Sequence, residues 1–284
     1  MTFPVVRRGD PAYPSLLREL HDPPPQLYVR GARAELFGRP GIAVVGARSC
    51  SGYGSQVART IGRELAAAGA VVISGLARGV DGEAHRGALE AGGTTVAVLG
   101  CGIDRDYPRR HAELAARIAE TGAIVSEYAP GVEPAPWRFP ARNRIVAGLA
   151  LATVVVEARS RSGALITADF ALELGREVFA VPGEITAGLS AGTNDLIRQG
   201  ATPFLGVQDV LEAIGLEPRV VRRPELSSTA SAVLSALEEH ARDADGLTRL
   251  TGRASGDVAA ALAELELAGL AASTEGVYRA VVAV

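Results

Sequence analysis

The stretch AVVISGLARGVDGEAHRGALEAGGTTVAVLG, residues 70–100, decides the fold. It opens on an apolar run (70–75), turns through glycine, takes up helical spacing over 81–91 and ends in a second apolar run (94–100). Runs that are apolar throughout, rather than alternating, read as strands buried on both faces. Two such runs joined by an amphipathic helix make a βαβ unit with parallel strands. The same alternation recurs on either side. Strand candidates lie at 41–46, 123–127, 153–158, 177–183 and 201–205, and helical segments near 54–68, 110–120, 142–150, 164–174 and 192–198. The expected fold class is α/β, a doubly wound, mostly parallel Rossmann-like sheet over residues 41–218.

Two flanking regions read differently. Residues 1–40, with DPAYPSLLRELHDPPPQLYVRG, are Pro-rich and are expected as an extended arm that wraps the sheet. The stretch EPRVVRRPELSS marks a linker, placed at 219–227. Beyond it, residues 228–284 read as helices over 228–241, 246–251 and 256–268, then two short apolar runs around a Thr-Glu-Gly turn. Three helices and a hairpin are the pattern of a small winged-helix domain.

Composition bounds the function. The 284 residues are 48% hydrophobic and 21% charged, with a net charge of −3, so no global attraction to nucleic acid or anionic lipid exists. No signal-like or long apolar span appears, and a soluble cytoplasmic protein is expected. Cys50 and Cys101 lack metal-ligand spacing and are expected to be reduced and structural. All 29 basic residues are Arg, which excludes a Schiff-base or P-loop lysine. Charge is also uneven. Residues 225–284 hold 4 Arg against 9 acids, whereas 1–224 hold 25 Arg against 23.

Most predicted strands end in glycine: VVGARSCSGYG, ISGLARGVDG, VLGCGIDRDYP, EARSRSGALIT and VPGEITAG. In open α/β sheets those ends form one rim, where ligands bind. Glycines let backbone N–H groups approach an anion, and helix N-termini add positive dipole ends. A single loop of this kind also serves simply as a tight turn. Five of them, carrying Arg48, Arg78, Arg105, Arg159 and Arg161, point to a phosphate-bearing ligand. GARSCSGYG lacks the G-x-G-x-x-G spacing, and the second strand ends on Ser74-Gly75 without a ribose-binding acid, which disfavours NAD. Catalysis finds little support. Asp81 reads as a helix cap and His85 as a packing residue, Ser74, Ser126 and Ser162 lack a His partner, and no metal-ligand cluster appears. No cofactor, metal or catalytic residue is expected.

The run FPARNRIVAGLA, 139–150, places Arg142, Asn143 and Arg144 at the mouth of a greasy helix whose Ile145, Val146 and Leu149 read as core. Together with YPSLLRELHDPPPQLYVRG, SGLARGVDGEAHRGALEAGGTTVAVLGCGIDRDYP, SEYAPG, VVVEARSRSGALITADFALELGREVFAVPG and GTNDLIRQGA, it resembles DNA-processing protein A, the DprA/Smf family, over about residues 11–215. The resemblance implies a non-enzymatic single-stranded DNA-binding recombination mediator. In that role it protects incoming DNA, forms homodimers and loads the recombinase RecA during natural transformation. The family's Gly-Ser/Thr-Arg motif falls on Gly46, Ala47 and Arg48, where alanine removes a hydroxyl and the guanidinium remains. Its Phe and Arg-Asn-Arg fall on Phe139, Arg142, Asn143 and Arg144, and the basic residue preceding that Phe is represented by Arg138. Gly75, Arg78, Ser162 and Gly163 complete the candidate DNA contacts on the rim. Arg144 fits either a DNA contact or a structural brace. For the dimer, Leu196 and Ile197 fit either exposed apolar contacts or the buried face of a short helix. With YPSLL so near residue 1, the helical N-terminal domain many members carry is not expected within residues 1–284.

The acidic winged-helix region, whose third helix is SGDVAAALAELELAG, is expected to contact protein rather than duplex DNA. Two rivals remain. One is a Rossmann-like nucleotide hydrolase of the lysine-decarboxylase-like type, whose PGGxGTxxE motif is not matched by ARSRSGALITADFALE. The other is a transcription regulator, which the charge of the last domain opposes.

Overall fold

A computed structural model of the chain describes residues 3–31, 34–217, 226–240, 242–274 and 276–280. The described chain divides into two compact units, Met1–Val220 and Val221–Ala283.

In the first unit, β3 (Gly41–Val45), β4 (Val71–Ser74), β5 (Thr95–Val98), β6 (Ala123–Ser126), β7 (Ala152–Val155), β8 (Glu177–Ala180) and β9 (Thr202–Pro203) run parallel. The strand order is β1-β2-β6-β5-β4-β3-β7-β8-β9. Alternate residues of one strand serve two cores. Ala43 and Val45 pack with Ile145, Val146 and Leu149 of α4 (Arg138–Leu149) and Ala168 of α5 (Gly163–Glu173). Ile42 and Val44 face α1 (Gly52–Ala67), α2 (Val80–Glu90) and the short α7 (Val207–Ala213), which had no signal in the sequence reading. Burial on both faces is why these strands are mostly apolar runs, with Ser74, Thr95, Ser126 and Thr153 as buried polar residues within them. The helices α3 (Ala112–Thr121) and α6 (Ala191–Arg198) complete the layers.

The expected N-terminal arm is instead part of the sheet. β1 (Val5–Arg7) and β2 (Gln26–Gly31) add an antiparallel edge, with Tyr28 opposite Ser126 and Val29 opposite Val125. The residues QLYVRG alternate between buried and partly exposed, a period that the surrounding prolines obscure. Leu17 and Leu20, on and just after a 3-10 turn at Ser15–Glu19, pack against the sheet core. The linker expected at 219–227 lies mostly outside the described residues.

The second unit holds α8 (Ser228–Glu239), β10 (Arg242–Asp243), α9 (Ala244–Thr251), α10 (Ser255–Leu267), β11 (Ala271–Thr274) and β12 (Val277–Ala280), the strands ordered β10-β12-β11. Val233, Leu237, Leu247, Val258, Leu262 and Leu265 form its core. Ser227 and Asp243 cap α8 and α9, and Gly252 ends α9 in the left-handed conformation. This is the expected three helices and a hairpin. Among the described residues, no helix is long and apolar enough to cross a membrane.

Candidate nucleic-acid interface

The strand order reverses direction between β3 and β7, which pair in parallel from Ile42–Ala152 to Val45–Val155. Ligands of open α/β sheets bind outside the carboxyl ends of strands at such a switch point. Here the loops after β3, β4 and β7 and the start of α4 enclose a cleft of about 400 Å³. A second cleft of about 350 Å³ adjoins it, between the loops after β3, β4 and β5. Arg48, Gly75, Phe139 and Arg142 line both.

The loops are held by a buried frame. Glu157 accepts from Ser51 N at 2.9 Å and Ser51 Oγ at 2.5 Å, and its own carbonyl accepts from Ala47 N at 2.7 Å. Ser51 in turn caps α1 through Gly54 N. The bonds fix the Gly46–Arg48 turn from both ends. Gly79 (φ +71°) lies so close to the Ala47 and Arg48 carbonyls that a side chain there would collide with backbone. Asp81, expected as the cap of α2, lies inside that helix and accepts from Gly75 N at 3.1 Å and Ala77 N at 3.3 Å, tying down the preceding loop. Burial pushes the Asp81 carboxyl up, opposed by the Arg142 guanidinium and these two N–H groups. Leu76 takes a left-handed φ of 57° and is fully buried, turning Arg78 outward to solvent. Such a conformation on a non-glycine costs on the order of 1–3 kcal/mol and clusters at functional sites.

Within this frame the candidate residues separate. Gly46, Arg48, Gly75, Phe139, Arg142, Asn143, Ser162 and Gly163 line the first cleft, and Arg78 lines the second. Ser162 caps α5, and Asn143 Nδ2 donates to the Gly163 carbonyl at 2.9 Å. Arg138 and Arg144 line neither cleft. Arg138 donates to the Glu133 carbonyl and lies over the Tyr128 and Trp137 rings. Arg144 is paired with Glu127 through two bonds of 2.8 and 2.7 Å and donates to the carbonyls of Asp22 and Ala141. Of the two roles open to it, the structure shows the brace.

Arg142 is also turned inward. It is 4% exposed, and its Nη1 donates to the Gly75 carbonyl at 2.7 Å and to that of Val98. The reason is where α4 begins. The helix starts at Arg138 rather than near 142, so Arg142 sits in its second turn. There it shares the buried stripe with Ile145, Val146 and Leu149 at i, i+3, i+4 and i+7. Leu196 belongs to the core as well, 6% exposed, with Ile197 packed partly buried against the same cluster. Of the two readings open for the pair, Leu196 takes the buried face of the amphipathic α6, while Ile197 packs beside it and stays partly exposed.

Sequence reading missed Tyr107, Arg109 and Arg110, which line the second cleft. The signal was the run DYPRR, 106–110, which sets a tyrosine and two arginines in the loop after β5. Six exposed arginines thus face the two clefts: Arg48, Arg78, Arg109, Arg110, Arg159 and Arg161. Among the described residues none of the six forms an ion pair, whereas Arg30, Arg59, Arg86, Arg105, Arg144, Arg176 and Arg198 all do. Cys101 lies in the second cleft, where burial pushes its thiol up to about 11, leaving it un-ionised near neutral pH.

The sequence profile described as DNA recombination-mediator protein A matches residues 4–215, and that of the DprA winged helix domain matches 217–276. The chain belongs to the DNA recombination-mediator protein A family. Protein Smf of Synechocystis is 36% identical over 94% of this chain and 77% of its own length. The crystal structure of DNA processing protein A from Streptococcus pneumoniae superposes with a TM-score of 0.72 at 43% identity, covering 75% of this chain and 74% of that one. A structure of the Helicobacter pylori protein, described for its single-stranded DNA binding mode, gives 0.68 at 31% identity, covering 76% and 98%. The family is one of DNA-processing recombination mediators, and its Rossmann-like sheet and winged helix are both present here.

Proposed function

We propose that this family member binds single-stranded DNA across the two clefts, without cleaving it, and delivers it to a RecA-type recombinase during natural transformation. The observation that carries the reading is the convergence of six exposed, unpaired guanidiniums on the switch-point rim. Elsewhere in the first unit seven arginines are paired with carboxylates, and Arg18, Arg39 and Arg138 donate to backbone carbonyls; at this rim six exposed guanidiniums face the clefts without a carboxylate partner. Guanidinium suits phosphate through bidentate donation. Clefts of this size accept nucleotide-sized units, which a single strand presents and a closed duplex does not. The buried, committed Asp81 and Glu157 leave no free acid–base pair at the rim, which argues against the hydrolase alternative. The reading extends to a homodimer in the cytoplasm that protects incoming DNA, and it gives the acidic winged-helix unit a protein contact rather than a DNA one.

Mobility shift with oligo-dT, duplex and free nucleotides tests the first step. Single strands should bind more tightly than duplex, with a log–log salt slope of roughly −0.7 per phosphate contacted. Salt-insensitive or duplex-preferring binding would overturn it. Nucleation of RecA filaments on single strands, timed with and without the protein, tests the second step, and light scattering of the free protein tests the dimer.

A further inference from the structure

Trp137 is left unexplained by the clefts. It is the chain's only tryptophan, it immediately precedes α4, and it is 63% exposed. The ring is nevertheless held in place. The Arg138 guanidinium lies 4.9 Å from its centroid and 5.1 Å from that of Tyr128, and donates to the Glu133 carbonyl. Two residues further on, Phe139 enters both clefts, but its ring is already engaged. It stacks on Tyr107 at 5.2 Å with 25° between the planes, and Arg48 lies over it at 5.2 Å. Of the two aromatics at the start of α4, the ring inside the clefts is occupied and the ring outside them is open.

We propose that Trp137 is a stacking platform for a nucleobase of the single strand as it leaves the clefts, and that Phe139 is a wall of the clefts rather than the main platform. This rests on the single-strand reading above. A fixed indole with a solvent-facing surface accepts any base, because every base offers a π-face, so the subsite adds affinity without sequence preference. Arg138 acts through it as a positioning residue, its guanidinium lying against both the Trp137 and the Tyr128 rings.

The full chain is titrated with a labelled oligo-dT and with an abasic strand of equal length, followed both by anisotropy and by tryptophan emission, to which Trp137 alone contributes. Oligo-dT should quench the emission and the abasic strand should not. Trp137→Ala should weaken oligo-dT binding on the order of tenfold, with an unchanged salt slope and a loss confined to the strand that carries bases. Trp137→Phe should recover most of that loss. The inference is overturned if wild type binds oligo-dT while its emission stays unmoved and Trp137→Ala binds equally well. It is overturned equally if the variant loses affinity for both strands alike. No anisotropy change with oligo-dT at all would sink the single-strand reading itself.

Discussion

Arg48 and Arg142 line the same two clefts, yet they belong to different regions of the molecule. Arg48 stands on a glycine-bounded turn, exposed, with its guanidinium over the Phe139 ring. Arg142 is buried in the second turn of α4, its Nη1 given to the carbonyls of Gly75 and Val98 and its Nε to Asn143 Oδ1. One is a charge the fold leaves available; the other has been taken out of water to hold two loops together. Desolvation decides between them, because a guanidinium 4% exposed, with Nη1 given to two backbone carbonyls and Nε to the Asn143 side chain, offers little of its fork to a phosphate. Arginine at the rim therefore divides into cations that meet the ligand and cations that build the surface it meets.

The sharpest way to break this division is Arg142→Ala. Removing the guanidinium leaves two buried carbonyls without a donor and the buried Asp81 without its opposite charge. A loss of about 3–5 kcal/mol of stability is expected. Denaturant unfolding measures it, with DNA affinity normalised to folded protein. Should Arg142→Ala fold as well as wild type while losing affinity, Arg142 moves to the side of Arg48.

The buried region should also show itself in pH dependence. Thr95 Oγ1 donates to the Val72 carbonyl at 2.7 Å, so His85 Nδ1–H donates to Thr95 at 2.6 Å, and His85 Nε2 is buried without a partner. Burial, with His111, Arg142 and Arg86 nearby, pushes the His85 pKa down to about 3 from an ordinary 6.5. Between those values the unfolded chain holds a proton the native state refuses. Stability is therefore fully present above about pH 6.5 and falls as pH drops, by up to about 1.4 kcal/mol per unit. Asp81, whose carboxyl is pushed up, offsets part of that fall, since its native form takes up a proton more readily. His85→Gln should flatten the curve between about pH 6.5 and 4. An unchanged curve would mean that the native site accepts the proton.

Arg48→Ala is the exposed counterpart. Its stability should stay close to wild type, since only a cation–π contact of about 0.5–1 kcal/mol is lost. Single-strand affinity should fall by about 1–3 kcal/mol, with a shallower salt slope. Equal loss on duplex and single strand, or an unaltered slope, would remove Arg48 from the phosphate track.

How far the sequence reveals this division depends on where each partner lies. The sheet was legible because strands buried on both faces are nearly continuous apolar runs, as 41–45 and 71–73 are. The rim was legible because turns at strand ends need glycine. The start of α4 was not: no side chain caps it, and Trp-Arg-Phe-Pro gives no start signal. That offset of four residues turned a buried arginine into an apparent ligand contact, although its spacing from Ile145, Val146 and Leu149 already placed it on the core stripe. The pairing of Arg144 with Glu127 and Asp22 could not be read locally, because it joins α4 to the segment after β6 and to the N-terminal segment. Nor does helical or strand periodicity say which of 29 arginines lack a carboxylate. Only the assembled sheet gathers six of those at one edge.

The smallest effect tests whether Arg144 belongs with Arg142. Arg144 and Glu127 are each 13% exposed as side chains, so neither is fully solvated and neither lies in a wholly dry core. Arg144→Leu alone strands the Glu127 carboxylate and should cost about 1–3 kcal/mol. Replacing both, Arg144→Leu with Glu127→Leu, removes the stranded charge, and paired groups exchanged for apolar ones of similar size are often near neutral. The double variant should therefore fall within about 1 kcal/mol of wild type, with the lost bonds to the Asp22 and Ala141 carbonyls setting the residue of the cost. Both variants should bind single strands as wild type does, because neither side chain reaches the clefts. Denaturant midpoints give the cycle, and oligo-dT titrations give the functional arm. A double variant less stable than the single would show that the pair contributes net stability beyond cancelling its own burial. A fall in affinity in either variant would show that the ion pair shapes the rim, and the boundary drawn between Arg48 and Arg142 would have to move outward.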